Sequence, residues 1–253
     1  MQCTLALTLC LVASPLAVAR AQVTAPQAGA PASTRITDPK QHGYAEAGRY
    51  PFRAQSDYIL EQLDLQPGDT VVDIGAGDGW WSERMVKFVG DQGVVHAAEV
   101  SERLVDRMQG RFADDPRIKP YLCPTDGTGL PENSCDLAFI AQTYHHLDAD
   151  GRVRYLRHLK KVLRPTGRFC VVEKHSGIST RSPDHGTHPD ELLAVAAKAG
   201  WVLVRYELMP RTYHYLAIFA QKEMFSAEPP RPRRGRRGGD GVPEAQPSAA
   251  EKK

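Results

Sequence analysis

The sequence predicts a doubly wound α/β sheet of seven strands, the last of them antiparallel. Three observations predict it. Strand-like and helix-like segments alternate through the middle of the chain, a glycine-rich turn follows the first strand, and only Met209-Pro210-Arg211-Thr212 separates the last two strand segments. Alternation of this kind builds a parallel sheet with helices on its faces. A gap that short cannot hold a crossover helix, so the final pair must form an antiparallel hairpin.

The elements follow in order. An amphipathic helix over Ala54–Leu63 is ended by Gln66-Pro67-Gly68-Asp69. Strands are expected at Thr70–Ile74, Val94–Ala98, Ile118–Leu122, Leu137–Ala141, Arg168–Val172, Val202–Leu208 and Tyr213–Gln221. Helices are expected between the first six, at Trp80–Val89, Ser101–Phe112, Asp148–Leu163 and Pro189–Ala199. His188 starts the last of these, with Pro189 at a first-turn position and Asp190 and Glu191 favouring the helix dipole.

Both ends differ from this body. From Leu5 to Ala19 the chain is nearly all small or apolar and leads to Ala19-Arg20-Ala21, a small-x-small site suited to signal peptidase. Residues 1–21 are therefore expected to be a secretory signal, which would place the mature chain in the periplasm or outside the cell. A cytoplasmic location is the alternative if the signal is not cleaved or the start is misassigned. Pro15 opposes a buried N-terminal helix, and the run is too short and too rich in Ala, Ser and Pro for a transmembrane span. Residues 22–43 lack hydrophobic periodicity and read as a flexible linker. The folded domain is assigned to 44–222 and a disordered Pro/Gly/Arg-rich tail to 223–253. The Arg231–Gly239 cluster of that tail is a solubilising segment or a contact for anionic surfaces.

A net charge of +2, part of it gathered in that tail, offers no strong nucleic-acid signal. Of five cysteines only Cys123, Cys135 and Cys170 lie beyond the signal, and with no CxxC they read as small buried hydrophobes.

The turn Asp73-Ile74-Gly75-Ala76-Gly77-Asp78-Gly79 carries the most chemical information. Gly75, Gly77 and Gly79 give G-x-G-x-G, whereas a dinucleotide fingerprint requires G-x-G-x-x-G, and Trp80 occupies the place of its last glycine. That spacing and the terminal hairpin oppose an NAD-linked oxidoreductase. Glu99, followed by Val100, ends the second strand about 20 residues beyond the turn, where a carboxylate accepts hydrogen bonds from ribose hydroxyls. Asp126, with Gly127, follows the third strand and is placed for an adenine amino group, although Asp-Gly is also an ordinary turn pair. After the fourth strand come Gln142-Thr143-Tyr144-His145-His146-Leu147.

On Leu65-Gln66-Pro67-Gly68-Asp69, Val72 through Gly79, Leu130-Pro131-Glu132-Asn133-Ser134-Cys135-Asp136-Leu137, Tyr144-His145-His146 and Leu163-Arg164-Pro165-Thr166-Gly167-Arg168, the chain resembles the class I S-adenosylmethionine-dependent methyltransferases. The likeness runs over residues 44–221 and is greatest to the ubiquinone/menaquinone C-methyltransferase branch. It departs from the family at Pro165-Thr166-Gly167, where Pro-Gly-Gly is usual. The resemblance implies a Rossmann-like fold, S-adenosylmethionine as cofactor, and methyl transfer to a small-molecule or lipid-like acceptor. Asp73, Gly75, Ala76, Gly77, Gly79, Glu99, Val100, Asp126, Gly127 and Gln142 would then surround the cofactor. S-adenosylmethionine has no phosphate, so its turn need only let backbone pass close to the ligand. Asp73 would reach toward the cofactor's ammonium through water or by holding the loop.

Methyl transfer needs positioning and, for a protonated acceptor, a base. His145 and His146 are the candidates to take a proton from a phenol, enol or activated carbon acid, with Tyr144 orienting them or lining the pocket. The bland alternative has one histidine capping a helix and the other packed beneath it. No metal is expected, since adjacent histidines diverge and no HxxxH or HExxH spacing occurs. The loop Lys174–Thr187 is expected to contribute to a lid over the acceptor. A catalytically inactive domain that binds S-adenosylmethionine or S-adenosylhomocysteine is the remaining alternative.

Overall fold

The chain enters its described part, residues 51–178 and 185–225 of a computed structural model, through a 3-10 turn at Pro51–Gln55 and helix α1 (Ser56–Gln62). The expected signal, linker and Arg-rich cluster, and residues 179–184 of the expected lid, lie outside the described residues. All described residues belong to the unit of chain that starts at Gly43.

Beyond α1 the order is β1 (Thr70–Ile74), α2 (Ser82–Val89), β2 (Val94–Glu99), α3 (Glu102–Arg111), β3 (Ile118–Leu122), β4 (Cys135–Ala141), α4 (Arg152–Val162), β5 (Leu163–Lys174), α5 (Pro189–Lys198), β6 (Trp201–Met209) and β7 (His214–Gln221). The seven strands form one sheet in the order β3-β2-β1-β4-β5-β7-β6. β1 pairs in parallel with β2 and β4, and β7 runs antiparallel to both β5 and β6. Strand order reverses between β1 and β4, and ligands of doubly wound sheets settle at the carboxyl ends of the strands at such a point.

Alternation along each strand explains the two layers that cover the sheet. Val71, Leu137 and Phe139 face one cluster with Ile59 and Leu60 of α1, Met85 and Val86 of α2, and Met108 of α3. Val72, Ile74, Ala138 and Ile140 face the other, with Leu156 and Leu159 of α4 and Leu192 and Ala196 of α5. β7 is buried along its whole length because β5 and β6 flank it. Pro120, which removes one ladder donor, sits in the edge strand β3, where that loss is tolerated.

Several boundaries differ from expectation for local reasons. Trp80 and Trp81 lie in the turn before α2, and a 3-10 turn at Ala149–Gly151 precedes α4. Strand β5 starts at Leu163, and the Pro165-Thr166-Gly167 turn lies inside it. Its register against β4 steps from Cys135↔Leu163 to Leu137↔Arg168, so the intervening residues bulge from the ladder. Asp136 ties this end of the sheet, accepting from the Thr70 N–H at 2.8 Å and from the Arg164 guanidinium. The folded part runs past the expected tail boundary: Lys222–Phe225 form a 3-10 turn whose Glu223 pairs with Lys160 at 2.7 Å. The three cysteines are free and buried.

Candidate functional site

The turn after β1 is held from three sides. Gly75 and Ala76 donate backbone N–H groups to the Ala98 carbonyl at 2.9 and 3.0 Å, which anchors the turn to β2. Gly75, Gly77 and Gly79 have φ of +70°, +63° and +78°, a region in which side chains are strained. A Cβ on Gly75 would lie 2.3 Å from Thr143 Oγ1, while one on Gly77 would meet nothing within 4 Å. Beneath the turn Asp73 is almost wholly buried, and the Ser82 hydroxyl at the start of α2 donates to its Oδ2 at 2.6 Å. Asp73 thus holds the turn to the helix.

Glu99, at the last residue of β2, faces the same turn. Its Oε2 accepts the Gly77 N–H at 2.9 Å, and its Oε1 accepts those of Val100 and Ser101 at 2.8 and 3.0 Å. Each carboxylate oxygen offers two lone pairs, so Oε2 keeps one for a ligand hydroxyl and Oε1 keeps none. Accepting one ribose hydroxyl on each oxygen would require Oε1 to give up one backbone bond.

A cavity of about 610 Å³ opens beside this carboxylate, within the range of small-molecule sites. Ile74, Gly75, Glu99 and Val100 form one wall, Cys123 through Asp126 a second, and Thr143, His146 and Leu147 a third. Asp148, Gly151, Arg154 and Tyr155 complete it at the start of α4. Of the expected cofactor residues, Gly75, Glu99, Val100 and Asp126 therefore reach the cavity. Gly77 acts behind it by holding Glu99.

Other expected residues have packing roles. Gly79 leaves room for Phe112, whose ring would lie 2.4 Å from an added Cβ, and a Cβ added at Gly127 would lie 3.0 Å from His158 Nε2. Ala76 is buried in the core layer of α1 and α2. Tyr144 is fully buried in the opposite layer, 5.0 Å from the Arg152 guanidinium, so it is a core residue and not a pocket wall. Gln142, at φ +54°, is not one of the residues lining the cavity, and its Nε2 donates to Glu173 Oε1 at 3.2 Å.

The histidines behave differently from one another. His146 lines the cavity, and burial, followed by the neighbouring His145 and His185, pushes its ionisation below the ordinary value. His145 Nδ1 lies 2.9 Å from Glu173 Oε2. The His145 ring contacts that of His146 at 3.9 Å and that of His185 at 4.5 Å. His185 brings the described end of the expected lid loop to this place. His188 caps α5, accepting the Asp190 N–H at 3.3 Å with Pro189 in the first turn. Among the described residues, no group of three or more His, Cys, Asp or Glu side chains is arranged to hold a metal ion.

Glu173 was the chief residue missed. It lies one residue past the last parallel pair of β5, close to the strand's end as Glu99 is to that of β2, so the strand-end argument that found one carboxylate extends to the other. Thr143 and Arg154 carry no comparable sequence signal, because their place at the cavity follows from the bend after β4.

Comparison with known proteins agrees with this geometry. Residues 71–167 match a family model described as a methyltransferase domain. The chain is 30% identical over 125 residues to the ubiquinone/menaquinone biosynthesis C-methyltransferase of Paraburkholderia phymatum, covering 48% of this chain and 49% of that protein. It thus spans about half the length of the curated relatives it matches. Among solved structures, an S-adenosylmethionine-dependent methyltransferase from Aquifex aeolicus superposes with a TM-score of 0.60 at 23% identity, over 72% of this chain and 97% of that one. The cyclase SpnF superposes at 0.52 and 21% identity, over 60% of this chain and 57% of that one. The fold is Rossmann-like, and that likeness alone leaves the chemistry open.

Proposed function

We propose that the domain built around residues 71–167 uses S-adenosylmethionine to methylate a small-molecule or lipid-like acceptor. One observation carries the reading: the Gly75–Gly79 turn and the Glu99 carboxylate meet at the wall of one cavity, at the point where strand order reverses. The residues fit the ligand. Glu99 Oε2 has one acceptor direction left for a ribose hydroxyl, Asp126 lines another wall, where it would meet an amino group, and Trp80 stands where a dinucleotide fingerprint has its last glycine. The name of the Paraburkholderia relative adds carbon methylation of a quinone-type ring to the candidate reactions.

Thermal melting with each ligand tests the reading. S-adenosylmethionine and S-adenosylhomocysteine should raise the midpoint and NAD should leave it unchanged; a rise with NAD alone would transfer the site to oxidoreductase chemistry. Glu99→Ala should weaken S-adenosylmethionine binding by about 1–3 kcal/mol, the scale of charge-assisted hydrogen bonds. It should also lower the melting point, because Gly77, Val100 and Ser101 lose their shared acceptor. Calorimetry reads the first effect.

Export is part of the same proposal, supported by the apolar run and the Ala19-Arg20-Ala21 site. No helix among the described residues is long and apolar enough to cross a membrane. A mature N-terminus at Gln22, found by mass spectrometry of the secreted fraction, is the expected result. An intact Met1 in all fractions would remove export.

A further inference from the structure

We propose that the outer edge of β6 pairs with β6 of a second copy of this chain, antiparallel about a two-fold axis at Tyr206, so that the sheet continues from one subunit into the next.

Strand β6 is nine residues long, stands at the end of the sheet and has β7 on one side only. An edge strand presents a row of unpaired N–H and C=O groups, and proteins blunt such rows with lysine, proline or a short strand. The opposite edge is blunted in this way: β3 has five residues, among them the exposed Lys119 and Pro120. β6 contains neither residue type. Its register shift between Leu203 and Arg205 bulges Val204 from the ladder and leaves the stretch from Arg205 to Met209 regular.

The side chains are apolar where a solvated edge would be polar. Register against β7 sets Leu203, Tyr206 and Leu208 opposite Phe219, Ala217 and Tyr215, on the sheet face that α4 and α5 cover. Trp201 is buried in that layer, whereas Leu203 is 37% exposed, Tyr206 41%, Val204 46% and Leu208 48%. A strand laid alongside covers this flank and satisfies the free backbone groups together.

Charge identifies the strand that fits. Arg205 and Glu207 lie on the other face, where the Tyr58 hydroxyl donates to Glu207 Oε2 at 2.6 Å and Arg205 donates to the same oxygen at 3.3 Å. Both charged side chains stay partly exposed, and among the described residues Glu207 Oε1 accepts no hydrogen bond. With two copies antiparallel about Tyr206, Arg205 of each stands directly opposite Glu207 of the other, and Val204 opposite Leu208. An axis one residue to either side sets Arg205 against Arg205 or Glu207 against Glu207, and like charges directly opposite are destabilising. The strand is therefore complementary to itself in this register, which is what an isologous two-fold contact requires. Pairing uses both β6 edges and leaves only the blunted β3 edges outside, so assembly closes at two.

Sedimentation of the full chain across a concentration series tests the contact, with circular dichroism as the check on folding. Wild type should sediment as a dimer. Arg205→Glu and Glu207→Arg should each raise the dissociation constant by about tenfold or more, because two-fold symmetry counts every lost pair twice. The double variant should dimerise like wild type, and an equal mixture of the two single variants should form a one-to-one heterodimer. Tyr206→Cys leaves the Tyr58 contacts in place and keeps the test open should a charge reversal unfold the chain. Facing residues of paired strands have Cα atoms about 4.5–5.5 Å apart, within disulfide reach, so mild oxidation should join Tyr206→Cys chains in pairs and leave wild type unjoined. A monomeric wild type, assembly beyond two, single reversals that dimerise like wild type, or Tyr206→Cys chains that do not join would overturn the proposal.

Discussion

Gly75→Ala should reduce S-adenosylmethionine affinity by on the order of 100-fold, from about 3 kcal/mol of combined strain and crowding at the turn. The added Cβ would sit 2.3 Å from Thr143 Oγ1, 2.4 Å from its Cγ2 and 2.9 Å from its Cβ, so no rotation of the threonine clears it. Thr143 is itself tethered, donating to the Ala141 carbonyl at 3.0 Å. The clash must be relieved by moving either the turn or the bend after β4, and both are cavity walls. At φ +70° the alanine also occupies a conformation unfavourable by about 1–2 kcal/mol. Gly77→Ala is the control. It has nearly the same φ, +63°, but its Cβ would enter open space. It should therefore show the conformational part alone, about tenfold in affinity, whereas Gly77→Val, a β-branched residue held at positive φ, should lose more through strain in the turn that holds Glu99. Calorimetric titration of the three variants decides the point; equal affinities for Gly75→Ala and wild type would show that the turn does not govern the site.

The contrast between those glycines shows what a sequence can convey about this fold. Strands and their order of appearance were legible because β-branched runs such as Val71-Val72 and Val94-Val95 lie between glycine and proline breaks, and the hairpin because Met209–Thr212 is too short for a helix. Glu99 was legible because a strand end in a doubly wound sheet has a known direction. G-x-G-x-G reads as a single motif, yet only its first two glycines serve the cavity. The third makes room for Phe112 of the α3 end, a contact between residues far apart in the chain. Tyr144-His145-His146 has the same character. Three adjacent polar residues suggested one reactive group, but the 3-10 turn there sends Tyr144 into the core, His145 to Glu173 and His146 to the cavity. Local spacing could not distinguish these directions, because the partners that set them come from β5 and the loop after it.

Asp73 should make stability fall as pH rises through the weakly acidic range, contrary to the usual behaviour of a paired carboxylate. Burial lifts its ionisation from 3.8 to about 7; the Ser82 hydroxyl and backbone bonds oppose the lift, and the charges of Glu99 and Asp78 add to it. Below pH 3.8 the group is protonated in folded and unfolded chains alike and contributes nothing. Between 3.8 and about 7 the unfolded chain has ionised while the folded chain keeps its proton, so the folded state binds more protons and loses stability with increasing pH. Above about 7 the loss is complete, and a displacement of this size corresponds to on the order of 4 kcal/mol. Asp73→Asn, which can still accept from Ser82, should match wild type near pH 4 and exceed it at pH 8. The difference between their urea-unfolding free energies should open steadily across that interval, and parallel curves would refute the assignment. Ser82→Ala removes the opposing donor and should move the interval upward. S-adenosylmethionine carries a sulfonium and an ammonium, and a cation bound near the turn favours the ionised carboxylate. Binding should then draw the proton from Asp73, so wild-type affinity should rise between pH 6 and 8 while that of Asp73→Asn changes less. An equal rise in both proteins would confine Asp73 to holding the turn.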